Sequence, residues 1–127
     1  MINELCKQAY AKSKAKGFYD DPPRPLERHM LMVSEIAEAS EEVRRGNPFF
    51  YYDTPTGRAP VEALGGTPAP LSVGAVLQKP EGELVELADC MIRIMDYCGS
   101  KGWDLEEAIR IKMEYNSSRP YKHGKLK

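Results

Sequence analysis

The chain has 127 residues, 42% hydrophobic and 29% charged, with 18 basic against 19 acidic side chains. That length suits a single domain whose core needs no covalent staples, and the composition excludes wholesale disorder. A net charge of −1 excludes a protein that coats nucleic acid by charge alone, and no apolar run reaches the roughly 18–20 residues of a membrane span.

Residues 1–7 lack the basic-then-apolar layout of a signal peptide, so a cytoplasmic domain is expected. Cysteine usage agrees. The three thiols, Cys6, Cys90 and Cys98, include no C-x-x-C pair. Cys90 and Cys98 fall in one helical pattern, about 12 Å apart at 1.5 Å per residue, beyond the roughly 7 Å a disulfide tolerates. They read as small buried hydrophobes in a reducing compartment.

Residues 2–16 place Ile2, Leu5, Cys6, Ala9 and Tyr10 at the spacing of an amphipathic helix that Gly17 ends. Asp20 to Pro25 then forms a turn. Residues 26–45 carry a second helical stripe through Leu26, Met30, Val33, Ile36, Ala37 and Val43, closed by Arg44-Arg45-Gly46. Residues 46–82 differ in kind. They hold six of the ten prolines and six of the ten glycines, with the aromatic run Phe49-Phe50-Tyr51-Tyr52 near their start. A long loop or arm is expected there, with at most a short strand over Val73 to Leu77.

Residues 81–100 form a third helix, apolar on several sides, which predicts a central place in a bundle or at a subunit interface. Residues 104–116 form a fourth, opened by Asp104 as N-cap with Glu107 three positions on. Its apolar positions are Ala108, Ile109, Ile111 and Met113, and Trp103 reads as a core anchor before it. A basic tail follows. The expected fold is all-α: an antiparallel bundle of four main helices in one domain spanning 1–127.

The acids carry the functional signal. Glu35, Glu38 and Glu42 stand at i, i+3, i+7 on one face of the second helix, and Glu86 and Asp89 at i, i+3 on the greasy third. Carboxylates on so apolar a helix are costly unless something neutralises them. Facing helices 8–10 Å apart could bring the two sets together. A site of four acids without His or Cys suits Mg²⁺, with Mn²⁺ as substitute. The competing reading makes Glu35, Glu38, Glu41 and Glu42 a solvated face paired with Arg44 and Arg45. Further on, Lys112, Asn116 and Arg119 run at i, i+4, i+7, with Lys122, His123 and Lys125 close behind. Alone they read as a basic last turn on the helix dipole. Beside a carboxylate–metal site they suggest phosphate chemistry. His29 and His123 read as surface or capping residues.

Glu35-x-x-Glu38 followed by Glu86-x-x-Asp89, with Lys112 and Asn116 on the next helix, resembles the MazG-like superfamily of all-α nucleoside triphosphate pyrophosphohydrolases. The resemblance covers roughly residues 26–45 and 80–125. The chain departs from the family pattern E-E-x-x-E … E-x-x-D in having Ser34 at the first glutamate and a longer connection between motifs. The resemblance implies a homodimer or dimer of dimers, with sites near the subunit interface. It implies Mg²⁺-dependent cleavage between the α and β phosphates of a nucleoside triphosphate, giving the monophosphate and pyrophosphate. Glu35, Glu38, Glu86 and Asp89 would then hold metal, which neutralises the triphosphate and lowers the pKa of a water. Glu38 or Glu42 would accept the proton, and Lys112, Asn116, Arg119 and Lys122 would hold phosphate oxygens. The aromatic run at 49–52 either stacks on the base or packs the loop.

No membrane or nucleic-acid polymer partner is expected. A helical di-metal oxidase is disfavoured because no E-x-x-H occurs. A non-catalytic helical interaction module and a pyrophosphohydrolase of phosphoribosyl nucleotides remain as alternatives.

Overall fold

The computed structural model describes residues 1–21 and 24–124. The Pro22-Pro23 step of the expected turn, and Lys125 to Lys127 of the basic tail, lie outside the described residues. Four helices stand where the apolar periodicity puts them: α1 (Ile2–Ala15), α2 (Pro25–Arg44), α3 (Glu83–Lys101) and α4 (Leu105–Ser118). Pro25 opens α2, a position whose N–H has no helical acceptor in any case. Asp104 caps α4 as expected, its carboxylate accepting from the Glu107 backbone N–H at 3.0 Å.

The all-α expectation needs correction, and so does the long loop at 46–82. That segment folds into five short strands: β1 (Tyr51–Thr54), β2 (Gly57–Pro60), β3 (Ser72–Val73), β4 (Val76–Leu77) and β5 (Lys79–Glu81), with a 3-10 turn over Val61–Leu64. The first, second and fifth form an antiparallel sheet in the order β2-β1-β5, and β3 and β4 form a separate hairpin. The short strand expected over Val73 to Leu77 is this hairpin, turned at Gly74-Ala75. The physical reason for the sheet lies in the aromatic run. Tyr51 and Tyr52 suit a pleated, half-buried surface, and Pro55-Thr56 makes a turn from which β2 returns. The prolines that argued against strands sit on the two edges, Pro60 in β2 and Pro80 in β5, where a missing N–H breaks no inner ladder.

The chain divides into two compact units, Pro23–Arg93 and a second made of Met1–Pro22 with Ile94–Lys127. In the second unit, Cys6 of α1 packs with Met95 and Cys98 of α3, joined by Ile2, Ala9, Ile94 and Leu105. Gly99 lets these helices meet closely: a methyl group there would strike the Cys6 carbonyl oxygen and come within 2.9 Å of Tyr10 Cβ. The N-terminal end is tied to α4, with Asn3 Nδ2 donating to Asp104 Oδ1 at 2.7 Å and the terminal ammonium 2.8 Å from Glu106. Tyr19 donates to Asp96 Oδ1 at 2.7 Å. All three cysteines are buried and unbridged.

Two expectations about packing are corrected here. Trp103 is no core anchor, being 56% exposed with its ring edge-to-face on Tyr97 at 5.6 Å. In α4, Ala108, Ile111 and Met113 are exposed and no residue is fully buried.

In the Pro23–Arg93 unit the sheet joins α3 through Gly82, whose φ of +115° is open to glycine alone at low cost. A side chain there would also collide with the Phe49 carbonyl, the same oxygen that accepts from the Leu84 N–H. No helix among the described residues is long and apolar enough to cross a membrane.

Candidate functional site

The Pro23–Arg93 unit brings the two acidic motifs together. Carboxylate oxygens of Glu35, Glu86 and Asp89 lie within 4.8 Å of one another, and so do those of Glu42, Glu81 and Glu86. Glu86 belongs to both groups and links them. Glu38 is solvent-exposed yet close enough to act on both Glu35 and Glu86. The four expected metal ligands and both expected proton acceptors therefore converge.

Glu35 is the one fully buried acid among the described residues, 6% exposed. Arg93, two helical turns C-terminal to Glu86 on α3, donates from Nε to Glu35 Oε1 at 2.8 Å. Burial pushes the Glu35 carboxyl up, but Arg93 together with the adjoining Glu38 and Glu86 carboxyls outweighs it and leaves Glu35 below the usual range. Glu86 goes the other way. Burial, then the neighbouring Glu38 and Glu35 and the charge of Asp89, push it up to about 8. Asp89 is also raised, by burial first and then by Glu35, with Arg93 opposing. At neutral pH Glu86 thus holds a proton, which relieves like-charge crowding among these carboxylates.

Two buried oxygens, Glu35 Oε2 and Glu86 Oε2, have no hydrogen-bond partner. Such orphans are rare because each carries its full desolvation cost. An all-oxygen donor set with two uncommitted, buried carboxylate oxygens fits a hard divalent cation. The pairing with Arg44 and Arg45 that the solvated-face reading expected is made by Glu41, at 2.9 Å and 3.0 Å.

The sheet adds residues that motif reading did not single out. Antiparallel partners share a face of the pleat, so the register places Tyr51, Asp53, Arg58, Lys79 and Glu81 on one side and Tyr52, Ala59 and Pro80 on the other. The first side meets the acids. Tyr51 Oη donates to Glu42 Oε1 at 3.1 Å, and burial with Glu42 raises the phenol, keeping it a donor. Asn47 also donates to Glu42. Arg58 donates from Nη1 to Asn47 Oδ1 at 2.9 Å and lies 4.8 Å over the Tyr51 ring, while Lys79 pairs with Glu81 at 2.9 Å. The other side is apolar: Phe50, Tyr52 and Pro80 join Pro68, Leu71 and Leu77 around a cavity of about 360 Å³. The aromatic run is thereby divided, with Tyr51 toward the carboxylates and Phe50 and Tyr52 packing the segment on itself. Glu81, expected as the first residue of the third helix, instead ends β5, and nothing in the sequence marked that strand.

The expected phosphate contacts belong to the second unit. Lys112 and Asn116 are exposed on α4, and Arg119 follows as its C-cap. Lys112 Nζ and the Arg119 guanidinium both lie over the Tyr115 ring, at 5.0 and 5.7 Å, which puts them on one side of the helix. Lys122 lies 5.7 Å over Tyr121. No family model, no curated protein sequence and no solved structure matches the chain.

Proposed function

We propose that the protein is a Mg²⁺-dependent pyrophosphohydrolase that cleaves nucleoside or deoxynucleoside triphosphates to the monophosphate and pyrophosphate. The observation that carries this reading is the pair of buried, unpartnered oxygens of Glu35 and Glu86, converging with Asp89. Glu35, Glu38, Glu86 and Asp89 would hold the ion. When bound, a divalent cation neutralises the triphosphate and makes water a stronger acid near it.

The chain's own groups do the rest. Water attacks the α-phosphorus, the bond to the bridging β-phosphate oxygen breaks, and pyrophosphate leaves. The water's proton needs a carboxylate with open lone pairs. Glu42 is engaged by Tyr51 and Asn47, whereas Glu38 faces solvent beside Glu35 and Glu86, so we assign the base to Glu38. Glu42 then positions Tyr51 and Asn47. Lys112, Asn116, Arg119 and Lys122 come in as phosphate contacts through the resemblance alone.

The same proposal includes self-association and a cytoplasmic setting. Leu26, Met30 and Val33 form one stripe of α2, 53–74% exposed. An apolar stripe of that kind is what a second copy covers in a homodimer or dimer of dimers.

Phosphorus NMR tests the reaction directly. Incubation with a panel of triphosphates and Mg²⁺ is expected to give monophosphate and pyrophosphate signals that a chelator abolishes. Orthophosphate in place of pyrophosphate, or no turnover on any nucleotide, would sink the proposal.

The raised Glu86 carboxyl gives a second check. Between about pH 4.5 and 8, folded Glu86 holds a proton that the unfolded chain releases, so its contribution to metal-free stability falls as pH rises through that window. An ion must displace this proton. The rise in melting temperature on adding Mg²⁺ should therefore be larger at pH 8.5 than at pH 5.5. An equal rise at both values, or none, counts against metal at Glu86.

A further inference from the structure

We propose that the sheet between α2 and α3 is a polyphosphate clamp, in which Arg58 and Lys79 grip the phosphate chain of the substrate beside the carboxylates. The identity of the anion as a triphosphate rests on the pyrophosphohydrolase reading; the placement of the two cations rests on the sheet itself.

The register puts Arg58 opposite Asp53 on β1 and Lys79 opposite the same residue from the other side. Both cations share the pleat face with Tyr51 and Glu81, the residues that touch the acids. Lys79 is near enough for its charge to be felt at Glu86 and Asp89 as well as at Glu81. The clamp and the carboxylates therefore border one space.

Arg58 shows that this is more than charge balance. Its partners are neutral: the Asn47 amide oxygen and the face of the Tyr51 ring. A guanidinium held by two neutral groups is braced rather than neutralised. Only Nη1 is committed, so Nε and Nη2 present the two-pronged donor edge that matches a phosphate. Three other cations of this unit are spent elsewhere: Arg93 is bonded to Glu35, and Arg44 and Arg45 to Glu41. Lys79 is ion-paired to Glu81, but its side chain is 78% exposed and can turn to an arriving anion. A triphosphate approaching this many carboxylates needs such cations alongside any metal, because like charges otherwise repel it.

The test reads binding of inorganic tripolyphosphate in the presence of Mg²⁺ by titration calorimetry, with a melting curve for each protein. Arg58→Ala should weaken binding at least about tenfold, Lys79→Gln severalfold, and Arg58→Lys should restore part of the loss because charge returns without the fork. Arg45→Ala, which removes equal charge from a side chain paired to Glu41, should change binding less than twofold. In turnover, Arg58→Ala should raise KM more than it lowers kcat. Should Arg58→Ala fold poorly, exposed Lys79→Gln carries the test. Well-folded Arg58→Ala and Lys79→Gln proteins that bind tripolyphosphate like the wild type overturn the clamp, as does a wild type that does not bind it. If the wild type hydrolyses triphosphates while these variants bind normally, the clamp alone fails. If tripolyphosphate binds through Arg58 but no nucleotide is cleaved, the clamp stands and the pyrophosphohydrolase reading fails.

Discussion

Asp89→Asn protein is expected to fold, to melt no lower than the wild type in chelator, and to cleave triphosphates at least about a hundredfold more slowly. Both halves follow from one geometry. Asp89 stands in a group with Glu35 and Glu86 whose oxygens lie within 4.8 Å of each other, and its carboxyl is raised by burial and by Glu35. Replacing it by a neutral isostere removes repulsion from a crowded cluster, so metal-free stability holds or rises. The same change removes an anionic ligand, so the Mg²⁺-induced rise in melting temperature should shrink with the activity. Glu86→Gln should behave alike, with the added loss of the pH dependence described above. A variant that loses stability in chelator along with activity would mark these acids as structural. One that cleaves at the wild-type rate would remove its residue from the site.

Gly99→Ala and Gly82→Ala should be the most damaging small substitutions in the chain, each lowering stability by about 2–4 kcal/mol and the melting temperature by on the order of 10 °C. The causes differ. At Gly99 the backbone is ordinary helix, and the penalty is purely spatial, because the new methyl runs into the Cys6 carbonyl and Tyr10. At Gly82 the methyl meets the Phe49 carbonyl, and φ is +115° as well. Gly46→Ala and Gly102→Ala provide the contrast: both have φ of +67° with nothing within 4 Å, so they should cost only about 1 kcal/mol, the left-handed backbone alone. Chemical denaturation of the four proteins checks the ranking. Gly99→Ala with the midpoint of the wild type would mean that α1 and α3 do not meet at this residue.

The helices were legible because their signal is local. The apolar repeat at 2–16 became Ile2–Ala15, that at 26–45 became Pro25–Arg44, and the Asp104 cap fixed the start of α4 to the residue. The convergence of Glu35 with Glu86 and Asp89 was legible for a related reason, since charges on an apolar helix have few ways to be satisfied. The sheet was not. Its strands are three or four residues long, too short for alternation to show, and β1 pairs with β5 across a segment dense in proline and glycine. Glu81, Arg58 and Lys79 were invisible with it, because only the register gives them a common face. Trp103 and the apolar side of α4 misled in the opposite direction: size and hydrophobicity suggested burial, and the chain leaves them exposed.

The divided sheet makes this region sensitive to parity. Successive residues of β1 alternate between the carboxylates and the apolar cavity, with Tyr51 on one side and Tyr52 on the other. Deleting or inserting one residue within β1 would exchange these assignments along the strand, sending Tyr52 toward Glu42 and Tyr51 into the cavity. A two-residue change would keep every assignment and merely lengthen or shorten the ribbon. Length variation in this strand should therefore be tolerated in even steps and not in odd ones, whereas the exposed turn at Pro55-Thr56 can change its length without that restriction.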